Sequence, residues 1–179
     1  MSDLSMDEGW EAPMIDHVPD RPRYSVTKRA ADHLTAGINS PPIPVRRIAE
    51  KQGVDVVFAD FGKHSDTVAG FCDFARKKLY VNGDERTERQ SFTIAHELGH
   101  WMLHRGLFAA HPELYPALPR RSDPNRGCTL EKEANHFAAH LLVPDRLLKP
   151  VLHAPAETLA PAFGVSVMMM GFRLTNAKR

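Results

Sequence analysis

Five consecutive residues carry the side chains and the spacing for one kind of chemistry: His96-Glu97-Leu98-Gly99-His100. They spell H-E-x-x-H, a pattern with a metal mechanism behind it. On an α-helix, residues four apart share a face and stand about 6 Å apart along the axis. His96 and His100 can then offer two imidazole nitrogens to one Zn²⁺ at about 2.0–2.1 Å each. Glu97 follows the first ligand and projects beside the ion, where its carboxylate can take a proton from a zinc-bound water and pass it on. Two neutral nitrogens leave Zn²⁺ short of ligands. A third must come from elsewhere in the chain, with water as the fourth.

This chemistry needs a helix under the motif. Thr87 with Gln90 three residues on reads as a capping box. Phe92, Ala95, Leu98 and Met102 then recur at helical spacing, so an amphipathic helix of about 17 residues is expected. A second helix is expected from about Leu130 to Val143, with Thr129 as N-cap and Pro144 just beyond its end. Around that helix Glu131 falls about 60° from the centre of the apolar arc, and Glu133 about 100° away on the other side. A buried carboxylate needs a partner or a metal. Glu131 is therefore the better candidate third ligand, with Glu133 as the alternative. Asn135 lies one turn beyond Glu131 and can orient a ligand through a hydrogen bond.

His104 extends the series His96, His100, but lies about 12 Å along the axis from His96, too far to share one ion on a straight helix. It is expected to be a hydrogen-bonded histidine near the helix end, where positive charge also suits the dipole. His140 falls off the buried face of its helix. Cys128 reads as a small apolar residue at a helix start.

The remaining elements must build a support for these two helices. Residues 1–23 mix Asp, Glu and Pro without periodicity and read as a mobile tail. Helices are expected at Lys28 to Gly37 and at Val45 to Gln52, the latter closed by Gly53. Val54 to Ala59, Thr67 to Phe74 and Lys78 to Asn82 read as strands, the last two as a hairpin. Gly70 marks a bulge or a close backbone approach, as an edge strand accepting an extended peptide would show; the bulge is the simpler reading. Arg105 to Cys128 reads as a long, basic, proline-rich loop, of the length that forms lids or binding loops.

Composition sets the outer bounds. At 179 residues one domain is expected. Hydrophobic residues at 42% and charged residues at 25% are ordinary for a globule. A net charge of +1 gives no overall pull toward nucleic acid or anionic lipid. Two cysteines make no disulfide framework. No apolar run approaches the roughly 20 residues of a membrane span, and the acidic N-terminus is unlike a signal peptide. A cytoplasmic location fits.

Three blocks together resemble the ImmA/IrrE family of bacterial zinc metallopeptidases. They are Pro42-Ile43-Pro44-Val45 through Gly53-Val54, then Leu79 to Asn82 followed by Phe92 to His100, then Glu131 to Pro144. The resemblance implies an α+β fold: a small mixed or antiparallel sheet packed on helices in a zincin-like, gluzincin-type domain over residues 24–150. A short helical C-terminal extension over 151–179 would follow. It implies zinc on His96, His100 and Glu131, Glu97 as general base, and site-specific cleavage of a partner transcription repressor of the helix-turn-helix type.

The C-terminal stretch Glu157 to Leu174 itself resembles a helix-turn-helix, with Gly164 in the turn. Its second helix is poor in basic residues, and Met168, Met169 and Met170 suit packing or protein contact better than phosphates, so direct nucleic-acid binding is not expected. Two other readings stand beside the peptidase: a non-catalytic zinc-fold regulatory or toxin–antitoxin binding protein, and a DNA-binding regulator acting through this segment.

Overall fold

The computed structural model describes residues 11–113, 118–121 and 128–177. The first helices are α1 (Tyr24–Thr35) and α2 (Val45–Lys51). Gly53 ends α2 in a left-handed turn, φ 78°, which lets the Val54 N–H reach Ala49 O at 3.3 Å. Strands β1 (Asp55–Ala59), β2 (Val68–Asp73) and β3 (Lys78–Asn82) follow. The β2–β3 turn is held by Asp73. Its carboxylate accepts from the Arg76 backbone and guanidinium, each at 2.9 Å, and these bonds outweigh burial and keep it below its usual pKa.

A fourth strand, β4 (Leu118–Arg121), completes a mixed sheet of order β1-β3-β2-β4. β1 runs parallel to β3, whereas β2 is antiparallel to both β3 and β4. The long loop expected after the motif helix thus contributes a strand. β2 is an interior strand, which removes the edge-strand alternative for Gly70 and leaves the bulge, the simpler reading. The β2–β4 register shifts between Val68 and Phe71, the stretch that holds Gly70. A Cβ there would stand 2.5 Å from Tyr80 O and 2.6 Å from Thr93 Cγ2, so glycine is what lets the sheet lie against the helix behind it.

That helix is α3 (Thr87–Ala110), 24 residues long and ended just before Pro112. The expected capping box does not form. Arg86 is the N-cap, and Gln90 instead donates to the Gly83 carbonyl at 3.0 Å. Helix α4 (Thr129–Leu142) likewise starts at Thr129 rather than being capped by it. α4 is clamped between α3 and α1. Phe137, Ala138 and Leu141 meet Ile94, Ala95 and Leu98 in one core.

After α5 (Asp145–Leu148), helices α6 (Ala156–Phe163) and α7 (Val167–Ala177) meet at a bend of 110°, with Gly164 at φ 67° in the turn. Phe163, Met170 and Leu174 join the same core, so this segment is continuous with the domain. Arg173, 3% exposed, donates to Val143 O at 2.8 Å and to Asp145 Oδ1 at 2.5 Å, fastening α7 to the end of α4. Among the described residues no single helix is long and apolar enough to cross a membrane.

Of the stretch read as a tail, residues 1–10 lie outside the described residues. Residues 11–23 lie against the domain: Ala12 packs on the core and His111 Nε2 meets Asp16 O at 3.2 Å. Arg23, the last of them, is anchored by a buried carboxylate described below.

Candidate metal centre

α3 carries His96 and His100 on the face turned to α4, both buried. Two small residues let the helices approach: a Cβ on Gly99 would lie 3.0 Å from Phe137 Cδ1 and 3.2 Å from Ala134 Cα. Glu131 sits one turn before Ala134 on α4 and reaches across. His96 Nε2 and His100 Nε2 are 3.2 Å apart, and Glu131 oxygens lie 3.3 Å from the first and 3.1 Å from the second. All three ligand atoms lie within 4.8 Å of one another.

Those separations test whether a metal fits. Two ligands at about 2.05 Å from a tetrahedral ion stand about 3.3 Å apart. Two imidazoles and one carboxylate, leaving a fourth position open, are also the donor set of a catalytic rather than a structural zinc site. Burial pushes the Glu131 carboxyl up, but the rings of His100 and His96 against it outweigh burial and hold it below the usual carboxylate range. The carboxylate is therefore ionised, as a ligand must be.

The far side of each imidazole is also engaged. His96 Nδ1 lies 3.0 Å from Asn135 Oδ1. An amide oxygen only accepts, so the proton sits on Nδ1 and Nε2 is left with its lone pair toward the common point. His100 Nδ1 lies 2.9 Å from His104 Nδ1, and His104 Nε2 lies 2.9 Å from Glu133 Oε2. Glu133 in turn accepts from Arg23 three times: backbone N–H at 2.7 Å, Nε at 2.9 Å and Nη2 at 2.8 Å.

Glu97 is buried on α3, and its charge is felt at Cys72 in β2. The Cys72 thiol is pushed up by burial first, then by Glu97 and Asp73.

Three expectations need correction. Glu133, placed at the margin of the apolar arc, is fully buried, while the Glu131 side chain keeps 32% of its exposure. The wheel assumed one packing partner for α4. With α1 on its other flank, the buried arc widens to include Glu133, which takes Arg23 and His104 as partners. His104 is hydrogen-bonded, as expected, but it is not a cation at a helix end. α3 continues past it, and burial pushes its pKa down to about 4, so it is neutral. Likewise His140, read as off the buried face, is buried beside α1 and α7 and pushed down to about 3. Sequence reasoning missed Arg23 and the partnership of His104 with Glu133. The repeat of histidines at 96, 100 and 104 together with Glu131 and Glu133 was the available signal.

Residues 49–175 match the sequence profile of Peptidase_M78, the IrrE N-terminal-like domain, well over half of the chain. The chain belongs to this family. With Peptidase_M78 membership comes a metallopeptidase-type function, and the matched span includes His96, Glu97, His100 and Glu131. A solved structure of a Mycobacterium tuberculosis transcriptional regulator is similar, at 20% identity and a TM-score of 0.57. The match covers 82% of this chain and 45% of that one, so this chain spans less than half of that protein, and the likeness is one of fold. No curated protein matches this chain.

Proposed function

We propose that this Peptidase_M78 chain is a zinc-dependent endopeptidase that cleaves a partner transcription repressor at one site. The observation that carries the reading is the convergence of His96, His100 and Glu131: the two Nε2 atoms stand 3.2 Å apart, one Glu131 oxygen lies 3.3 Å from the first and the other 3.1 Å from the second, and one donor atom from each residue falls within 4.8 Å of the others, close enough to share one ion. Zinc held there supplies Lewis acidity, which makes a water acidic near neutral pH and polarises a peptide carbonyl. The chain's own groups do the rest. Glu97 accepts the proton of the attacking water and delivers it to the departing amine. Asn135 holds His96 with its Nε2 lone pair turned inward, and burial of both histidines keeps competing water away.

A role beside transcription is supported by the resemblance set out from the sequence and by the name of the mycobacterial neighbour. Reading DNA directly is disfavoured, because the sole basic residue of α7, Arg173, spends its guanidinium on Val143 and Asp145. The test is incubation with the helix-turn-helix repressor encoded beside this chain, with and without a chelator, alongside Glu97→Gln. A discrete cut that needs both metal and Glu97 is expected. An intact repressor in every tube argues against the substrate. Unchanged function in Glu97→Gln argues for the docking protein instead.

A further inference from the structure

The chain Arg23–Glu133–His104–His100 runs 2.8, 2.9 and 2.9 Å from the protein's surface to the metal centre. Its protons can be assigned from donor chemistry alone. Arg23 only donates, so Glu133 accepts from it. Glu133 as a carboxylate must also accept from His104, which places the His104 proton on Nε2. His104 Nδ1 is then a lone pair and can only accept. The proton between the two rings therefore belongs to His100 Nδ1, and His100 Nε2 is left bare, pointing at the site. Reversing any one member forces two protons or two lone pairs to face each other in a buried space, which costs a hydrogen bond and a desolvated group.

We infer that Arg23 and Glu133 are positioning residues for the metal: acting through His104, they fix the tautomer and the ring direction of His100. The inference rests on the metallopeptidase reading and assigns it a control point outside the triad. Glu133 is fully buried, and Arg23, whose side chain keeps 19% of its exposure, is the one member that reaches solvent. Arg23 also stands at the N-cap of α1, so the segment before α1 is joined to the ligand His100 through three side chains, Arg23, Glu133 and His104. His96 is held by a separate branch, through Asn135. The two ligands of α3 are thus set independently, one by Asn135 of α4 and one by Arg23, just before α1, through Glu133 of α4 and His104 of α3.

The experiment is zinc titration against a chromophoric chelator on the full chain, with Arg23→Ala, Arg23→Lys and Lys28→Ala. Lys28 is the control, since it ties α1 to Asp145 at 3.3 Å without touching the relay. Arg23→Ala is expected to weaken zinc binding about tenfold or more, as loss of outer partners to metal-bound histidines does. Arg23→Lys should recover part of this. Lys28→Ala should lower the melting temperature of the metal-free protein yet leave zinc affinity alone. The visible spectrum of the cobalt-substituted protein should change in Arg23→Ala and not in Lys28→Ala.

Zinc affinity within twofold of the parent in Arg23→Ala overturns the inference, as does an equal loss in Lys28→Ala. Should Arg23→Ala not fold, Glu133→Gln, which keeps the shape and loses the charge, is read in the same titration with the same expected loss. A parent chain that binds no zinc, or that keeps its affinity in His100→Ala, removes the metallopeptidase reading itself. That result differs from an intact site indifferent to Arg23.

Discussion

Replacing Gly99 by Ala perturbs the metal centre without touching a ligand. Alanine is favoured over glycine in a helix interior by about 1 kcal/mol, so on propensity alone the variant gains stability. The new Cβ would stand 3.0 Å from Phe137 Cδ1 and 3.2 Å from Ala134 Cα. Carbon contacts settle at about 3.5–4.0 Å, so roughly half an ångström must open. Phe137 and Ala134 are both fully buried, and one contact is backbone, so the relief has to come from α4 moving off α3. Overpacking of this kind costs about 1–3 kcal/mol, which offsets and exceeds the propensity gain. Glu131 rides on the displaced turn, and the distances of 3.1 and 3.3 Å to the histidines lengthen with it. The expected result is a metal-free protein less stable by about 1 kcal/mol in urea denaturation. Zinc affinity should fall about 10–100-fold, the range seen when ligands are held in the wrong place. A variant more stable by the full propensity gain, with zinc affinity unchanged, refutes the argument that this contact sets the ligand distance.

Three other outcomes are expected. Glu97→Gln should retain zinc and fold while cleavage drops by about 10²–10⁴, measured as the rate of repressor cutting against the parent. Gly70→Ala should destabilise strongly, by about 3 kcal/mol, because its Cβ would sit 2.5 Å from a carbonyl oxygen and 2.6 Å from Thr93; an unchanged urea midpoint contradicts this. Acid should weaken the metal-free fold well before the carboxylates titrate. Burial pushes His136 down to about 4 and His140 to about 3, whereas both return to about 6.5 on unfolding. From pH 6.5 downward the unfolded chain binds more protons, so their stabilising contribution is complete above 6.5 and is lost as pH falls toward the folded values. The urea midpoint at pH 5 should lie below that at pH 7.5. The double variant His136→Gln with His140→Gln should reduce that difference, leaving the share carried by buried His104, whose pKa is likewise pushed down to about 4.

The elements around the motif were legible because their signals are local. Helical spacing over Phe92 to Met102, the β-branched run at Val54, and the glycine after α2 each depend on a few neighbouring residues. The pair His96 and His100 was legible for the same reason, since four residues of helix guarantee a shared face. What local pattern could not show is which other helix would lie against α4. Glu131 and Glu133 were ranked by one arc, although α4 has two packed flanks, and Glu133 faces the second. Arg23 was unreadable for a related reason: it is 110 residues from Glu133 in sequence. The place of His104 was misjudged because α3 runs to Ala110, further than its apolar spacing required. β4 lay in a stretch whose prolines argue against helix but say nothing about a strand borrowed by a sheet.

One consequence of β4 concerns association between molecules. Sheets with a bare flank invite another polypeptide to extend the ladder. Here the last strand on that flank contains Pro119, in register with Phe71. A proline has no N–H, so this four-residue strand offers one backbone donor fewer to its neighbours. Growth of the sheet by stacking of copies is blunted at that end by a single imino acid.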